Sequence, residues 1–258
     1  VLRSYDDAEY LVLATRKGLV KKTALSSYDS PRQAGLIAVN FRDAADELIG
    51  AELVNADDDV LLVSRKGQGV RFPVDDEQVR PMGRTTSGVT GMRFRGDDEL
   101  LSMAVIPAEA DEDSRFLFSV TDEGYAKRTP VSEFRRQNRG GLGVRAMRLN
   151  DERGGLVAAL VVSEEDEVIS FKASGQVIRS AVADVSPTGR DTMGVKFVGI
   201  KGDDQVVAVT VNPEPEEDGN AEEAGTESIA AAESEVASDD DGATVGQDVS
   251  AEREATDE

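Results

Sequence analysis

The chain has 258 residues, 51 of them acidic and 29 basic, for a formal net charge of −22, and it contains no cysteine and no histidine. Those absences exclude disulfides, thiolate metal sites, the usual zinc chemistry and the commonest general base. The charge is segregated: 17 acidic residues and a single basic one, Arg253, follow Asn212, which leaves 34 acidic and 28 basic among residues 1–212. A mildly acidic body rich in Lys and Arg carries a strongly anionic tail, so the low overall pI is no argument against a nucleic-acid partner.

About 210 residues can bury a sizeable core as one domain. No apolar stretch approaches the ~20 residues of a membrane helix, and the start lacks the pattern of a signal peptide. The first residue is Val1 and Val1-Leu-Arg-Ser4 reads as a strand, with Asp6 and Asp7 as the turn after it. The expectation is a piece of a longer cytoplasmic polypeptide, with Val1–Ser4 the last strand of a preceding unit.

Four copies of one unit follow, about 50 residues apart, anchored by Gly18, Gly67, Gly124 and Gly175. In the first, Tyr10–Thr15 is a strand, the segment after Gly18 returns as a second, Leu36–Phe41 is a third and Leu48–Val54 a fourth. In the second, strand one is Val60–Ser64, strand three Val89–Phe94 and strand four Leu100–Ile106. The third copy is the clearest. Arg115–Thr121 alternates, Asp122-Glu-Gly124 supplies hairpin-turn residues, Tyr125–Thr129 returns, and Pro130 ends the ladder. Leu142–Leu149 and Leu156–Val162 complete it. The fourth copy offers Glu167–Phe171, a return strand carrying Arg179, Val195–Ile200 and Val206–Val211. From anchor glycine to the first residue of strand four the spacing is 30, 33, 32 and 31 residues.

Four-stranded units in a series are the blades of an all-β, propeller-like fold. The blades are expected at about 8–54, 58–106, 114–162 and 165–212, making residues 1–212 one domain. Beyond it, residues 213–258 are Ala, Glu, Asp, Ser and Gly with almost no aliphatic bulk, a composition expected to stay disordered.

Conventional enzyme motifs are missing: no phosphate-binding Gly-Lys-Ser loop, no nucleophile elbow, no metal-ligand cluster. Acidic runs such as Asp57-Asp58-Asp59 read as solvated turns, and Tyr10 and Tyr125 as packing residues in strands. The basic residues repeat. Strand two carries Lys21 and Lys22, Arg71, Lys127 and Arg128, and Arg179. The connection after it carries Arg32, Arg80 with Arg84, Arg135 with Arg136 and Arg139, and Arg190. Glycines follow each connection arginine: Gly35, Gly88, Gly140 with Gly141, and Gly194. Guanidinium forks bind phosphate in a bidentate manner, and glycine lets main-chain N–H groups approach an anion closely. Any single Lys or Arg is better explained by surface solubility and pairing with turn acids, but the repeated placement predicts an exposed cationic belt that tracks a phosphate backbone without reading bases. Charge reversal at Lys127 and Arg128 is accordingly expected to leave the fold intact.

Gln137-Asn-Arg-Gly-Gly-Leu-Gly143 resembles the basic box, Gln-Arg-Arg-Gly-Gly-Lys-Gly, of the C-terminal domain of the DNA gyrase A subunit, with Asn138 and Leu142 replacing two cations. Tyr125-Ala-Lys-Arg-Thr129, Arg80-Pro-Met-Gly-Arg84 with Gly88, and Gly189-Arg-Asp-Thr-Met-Gly194 are similar to that family too, over residues 1–212 and in an actinobacterial manner. The resemblance implies a β-pinwheel that wraps double-stranded DNA with positive handedness, adding Gly140, Gly141 and Gly143 to the DNA-binding residues. It implies an ATP-dependent type II topoisomerase that introduces negative supercoils, an A2B2 assembly in which a second A subunit and two B subunits join this one, and a cytoplasmic, nucleoid-associated location. Catalytic residues, ATP and Mg2+ would belong to other parts of that assembly, leaving this chain without cofactor or membrane partner. The principal box would lie in a first blade upstream, making residues 137–143 a degenerate second copy. The alternatives are the C-terminal domain of the topoisomerase IV A subunit and a protein-binding propeller scaffold, although the tryptophan of the common WD-type blade is missing.

Overall fold

In the computed structural model, residues 2–31 and 34–213 are described. The strands in chain order are β1 (Tyr10–Thr15), β2 (Leu19–Ala24), β3 (Leu48–Val54), β4 (Asp59–Ser64), β5 (Gln68–Pro73), β6 (Val89–Thr90), β7 (Leu100–Ile106), β8 (Phe116–Thr121), β9 (Tyr125–Pro130), β10 (Val144–Arg145), β11 (Leu156–Val162), β12 (Glu167–Lys172), β13 (Val177–Ala181), β14 (Val195–Lys196) and β15 (Val206–Val211). Among the described residues, helical structure is limited to single 3-10 turns at Leu25–Tyr28, Val131–Glu133 and Val182–Asp184, each after a strand-two segment. The architecture is all-β.

Each copy begins with a hairpin closed by its anchor glycine, which sits in the left-handed region at φ between 76° and 84°. A residue with a Cβ is disfavoured there. The fourth strand of each copy then pairs antiparallel with the first: β3 with β1, β7 with β4, β11 with β8 and β15 with β12. Every one of these pairs shifts register near the turn end of the first strand, as at Ala14/Thr15 and Val63/Ser64. The shift is a bulge that adds local twist.

The third strand departs from expectation. It is two residues long, and it adds to the sheet of the copy before it. The sheets run β3-β1-β2-β6, β10-β5-β4-β7 and β11-β8-β9-β14, so the blades interlock and are not the contiguous stretches expected from the repeat. The hand-over is identical in register each time: Val89 opposite Val20 and Thr90 opposite Leu19, Val144 opposite Gly69 and Arg145 opposite Gln68, Val195 opposite Ala126 and Lys196 opposite Tyr125. Past the two-residue ladder, two successive amides converge on the anchor glycine's carbonyl. Gly91 and Met92 donate to Gly18 O at 2.8 and 3.1 Å, Ala146 and Met147 to Gly67 O, and Phe197 and Val198 to Gly124 O.

At the two ends of the series the exchange has one side only. The fourth sheet has three strands, β13-β12-β15. Residues 36–41, expected as the first copy's third strand, form none, and neither do Leu2–Ser4, read from the sequence as the end of a preceding unit. The acidic segment beyond residue 213 lies outside the described residues.

The core forms between consecutive blades, where β3 packs on β7, β7 on β11 and β11 on β15. Val12, Val20 and Val54 of the first sheet meet Leu62, Phe72, Val79 and Leu100 of the second. Leu61 and Val63 of the second meet Leu117 of the third, together with Phe134 and Met147 from the third copy's connection and handed-over segment. Phe118 and Val120 meet Val182, Val198 and Val206. A sheet covered on both faces buries alternate residues in two different interfaces. That decides the fate of the cations on strand two.

Candidate nucleic-acid interface

Lys21, Lys22, Arg71, Lys127 and Arg128 are all buried; the side chain of Lys22 is 0% exposed and that of Arg71 3%. These five do not form the outward belt expected of them. Adjacent residues of a strand point to opposite faces, and in β2 and β9 both faces are covered. Lys21 Nζ donates to the carbonyls of Ala38 and Arg84. Lys127 Nζ donates to the carbonyls of Ala146 at 2.6 Å, Gly189 at 2.9 Å and Arg190. Burial lowers both ammonium pKa values to about 8. In the second and fourth copies the same position holds Val70 and Ile178.

The cation four residues past each glycine meets the residue eight before it. Here too the copies alternate. Lys22 lies over the ring of Tyr10 at 4.6 Å and Arg128 over that of Phe116 at 4.7 Å. Arg71 Nε donates to Asp59 at 2.6 Å and Arg179 Nε to Glu167 at 2.7 Å. Each buried cation also reaches into the next copy's blade or its lead-in. Lys22 caps Val74 O at 2.5 Å, and Arg71 reaches Glu112 and the carbonyls of Val131 and Phe134. Arg128 contacts Glu164 at 3.4 Å, while its Nε and Nη1 are buried without a hydrogen-bond partner among the described residues. These are latches between repeats. Reversing Lys127 and Arg128 to Glu would place carboxylates against carbonyls in a dry interface, so the expectation of an intact fold does not stand. Of this group Arg179, in the fourth sheet, is the one that is exposed.

The connection residues are closer to expectation. Arg80 and Arg135 are exposed, Arg84 and Arg190 half-buried. Arg136 is largely exposed, with Nε on the buried Asp59 at 2.8 Å, and Arg190 lies beside Glu133. Arg32 falls outside the described residues. The box-like stretch is turned inward: Arg139 Nε donates to Gln78 O, its Nη1 to Thr90 O at 3.1 Å, and its amide to the Gln78 side chain at 3.0 Å. The Gly140 amide is taken by Gly91 O at 2.6 Å, and Gly141 O accepts from Arg93 N. Gly143, at φ +77°, lies against the Gly69 carbonyl, where a Cβ would collide. Gly143 seats the third copy's strand on the second sheet, while Arg139, Gly140 and Gly141 tie it to the second copy's connection at Gln78 and to the segment Thr90–Arg93 at the edge of the first sheet.

A second set of cations escaped the sequence reading. The strand handed to the preceding sheet is the outermost in its order, and its exposed positions, with the turn after it, carry Arg93 and Arg95, Arg145 and Arg148, and Lys196 with Lys201. The alternation with Met92, Phe94, Met147, Leu149 and Phe197 was the available signal. The guanidinium groups of Arg93 and Arg95 have no partner among the described residues. Arg145 and Arg148 both bind Asp191, at 2.6 and 2.9 Å, and together they hold its carboxyl down at about 2. Arg145 and Arg148 also line an open cleft of about 750 Å³ with Arg65 and Lys66.

No helix among the described residues is long and apolar enough to cross a membrane, and they contain no cluster of potential metal ligands. The family model for the DNA gyrase C-terminal domain, beta-propeller, matches residues 9–55, 58–107, 115–163 and 164–213. The DNA gyrase A subunit of a Nocardioides strain is 50% identical over 274 residues, covering 96% of this chain and 30% of that protein. Its Streptomyces coelicolor counterpart is 54% identical over 217 residues, covering 83% and 25%. The chain thus spans about a quarter to a third of the length of these relatives. Among solved structures, a DNA gyrase A C-terminal domain superposes with a TM-score of 0.70 at 27% identity, over 81% of this chain and 68% of that one. The C-terminal domain of DNA topoisomerase IV gives 0.73 at 23% identity, over 81% and 64%, a likeness of fold. The interlocked four-stranded repeats and these matches agree: the chain belongs to the family of DNA gyrase A C-terminal domains.

Proposed function

We propose that this domain binds double-stranded DNA without regard to sequence and bends it along the outermost strands, as the wrapping module of a type II topoisomerase that introduces negative supercoils. The observation that carries the reading is the set of outward cations, Arg93, Arg95, Arg145, Arg148 and Lys196, on consecutive blades, joined by Arg80 and Arg135 on the connections before them. Bending a few tens of base pairs costs about 1–6 kcal/mol, and several charge-assisted phosphate contacts with counterion release offset that. Breakage, rejoining and ATP hydrolysis with Mg2+ belong to the rest of an A2B2 assembly in the cytoplasm, in contact with the nucleoid. The acidic tail competes with DNA for the same cations.

The test is ligation of a nicked circle in the presence of the chain, followed by removal of the protein. Wrapping with positive handedness leaves a positive linking-number change that grows with protein and falls with salt. An unchanged topoisomer distribution at saturating binding rejects wrapping. The gyrase reading is preferred to topoisomerase IV because relatives about 50% identical are named as the A subunit of DNA gyrase. In the holoenzyme, relaxation or decatenation without introduced negative supercoils would reverse that preference.

A further inference from the structure

We propose that the cleft between the second and third sheets is a seat for a compact run of phosphates, opened by a glycine that stands where the preceding junction carries a carboxylate.

The residue just before a fourth strand is held between two hairpin turns. Its carbonyl accepts from the turn of its own copy: Glu99 O from Arg65 N, and Gly155 O from Asp122 N. The residue after it donates to the turn of the copy before, Leu100 N to Arg16 O and Leu156 N to Arg65 O. At the first junction the residue so held is Glu99, and its carboxylate serves two arginines, 2.6 Å from Arg65 Nε and 3.8 Å from Arg16 Nε. At the second junction it is Gly155, which sets no side chain over Arg65.

The third copy's turn explains the change. It reads Asp122-Glu123 where the first two copies read Arg16-Lys17 and Arg65-Lys66. Asp122 folds back so that its Oδ1 accepts from the Gly155 amide at 2.9 Å, and a Cβ on the left-handed Gly154 would collide with it. Gly155 is under no such constraint. It lies outside the left-handed region, and a Cβ there would have Asp122 Oδ2, at 4.0 Å, as its nearest neighbour.

The result is the open cleft of about 750 Å³, a volume typical of small-ligand sites. Arg65 and Lys66 reach it from the β4–β5 turn, and Arg145 and Arg148 from the strand that the third copy hands over; Asp151 is the one carboxylate in its lining. All four cations are exposed, and their present partners are surface carboxylates: Glu99 for Arg65, Asp97 for Lys66 and Asp191 for the other two. Such pairs contribute little. A polyanion offering several oxygens at once replaces them, because guanidinium forks take phosphate oxygens in pairs. Two sources supply that chemistry, a soluble polyphosphate and the backbone of duplex DNA. The first is independent of the DNA-binding reading above; the second rests on it.

Titration of the chain with inorganic tripolyphosphate by calorimetry, and with a short duplex by anisotropy, at about 150 mM salt, reads the two sources separately. Gly155→Glu gives the second junction the carboxylate of the first and should weaken binding of one or both ligands about tenfold or more. Gly155→Ala, which adds bulk without charge, should leave both within about twofold of the native chain, with an unchanged circular dichroism spectrum. Arg65→Ser with Lys66→Ser should repeat the loss without touching the glycine. A loss for tripolyphosphate identifies a soluble ligand, and a loss for the duplex alone identifies the DNA backbone. Equal duplex binding by the native and Gly155→Glu chains, with no saturable tripolyphosphate binding, overturns the seat and leaves the DNA reading standing. Tripolyphosphate bound by the native chain and lost in Gly155→Glu, with no duplex binding at all, keeps the seat and removes the DNA reading. A loss in Gly155→Ala as large as in Gly155→Glu also overturns the seat.

Discussion

The third and fourth sheets start from the same hairpin and end differently. In the third, β9 is buried along four consecutive residues and is covered by β14 from the following copy; in the fourth, β13 is an edge with Gly175, Gln176, Val177 and Arg179 exposed. The cation four residues past the glycine is buried over Phe116 in one and lies on Glu167 at the surface in the other. One residue pattern thus serves as an internal latch where a following strand is handed over, and as a surface ion pair with Glu167 in the three-stranded fourth sheet. A cation's position in a repeat does not determine its role until both faces of its sheet are known.

Matched substitutions sharpen that contrast. The largest effect is expected at the buried latch of the second sheet: Arg71→Ala leaves Asp59 buried with Arg136 as its remaining ion-pair partner and should cost about 3–5 kcal/mol in urea unfolding. Arg179→Ala, at the same repeat position but exposed, should cost about 0–1 kcal/mol. Equal losses would break the comparison.

Next come the turn glycines. Gly124→Ala adds a clash with Val198 O to the strain of a left-handed residue and should cost about 2–4 kcal/mol. Gly175→Ala meets the strain alone, about 1–2 kcal/mol. Thermal unfolding of the two variants side by side checks the difference.

Lys127 adds a pH signature. Its pKa is about 8 in the folded protein against an unburied value of 10.5. Between those pH values the unfolded chain binds the proton more tightly, so this group's contribution rises with pH and is lost as pH falls through about 8. The stability of the native chain relative to Lys127→Met should therefore increase from pH 7 to pH 10; a constant difference would show that Lys127 titrates normally. A smaller effect is expected at Asp191. Its carboxyl, held at about 2 by Arg148 and Arg145, stays charged across the working range. Asp191→Asn frees both arginines and should tighten DNA binding a few-fold in a fluorescence-anisotropy titration, with little change in stability.

The hairpins and all four fourth strands are legible in the sequence because each is a run of β-formers bounded by turn residues; Leu48–Val54, Leu100–Ile106, Leu156–Val162 and Val206–Val211 are found with the expected limits. The exchange of third strands is not legible. Val89–Thr90 and Val144–Arg145 have the same local pattern whichever sheet receives them, and periodicity says nothing about the partner. The cations divide for the same reason. Lys21-Lys22 and Lys127-Arg128 look like solvated pairs until sheets cover both faces, after which backbone carbonyls and aromatic rings take their charge. The exposure of Arg80 and Arg135 was legible because connections lie on the surface, whereas that of Arg93, Arg95, Arg145 and Arg148 was hidden in ordinary alternation within a strand.

The central claim is that DNA follows the outermost strands and not the strand-two cations. The most direct measurement is the salt dependence of duplex binding by the native chain and by Arg93→Ser/Arg95→Ser/Arg145→Ser/Arg148→Ser, all exposed positions whose loss spares the core. The slope of log K against log salt should fall by about 0.9 for each phosphate contact removed, with affinity reduced and the circular dichroism spectrum unchanged. An unchanged slope and affinity would contradict the account and place the DNA path elsewhere.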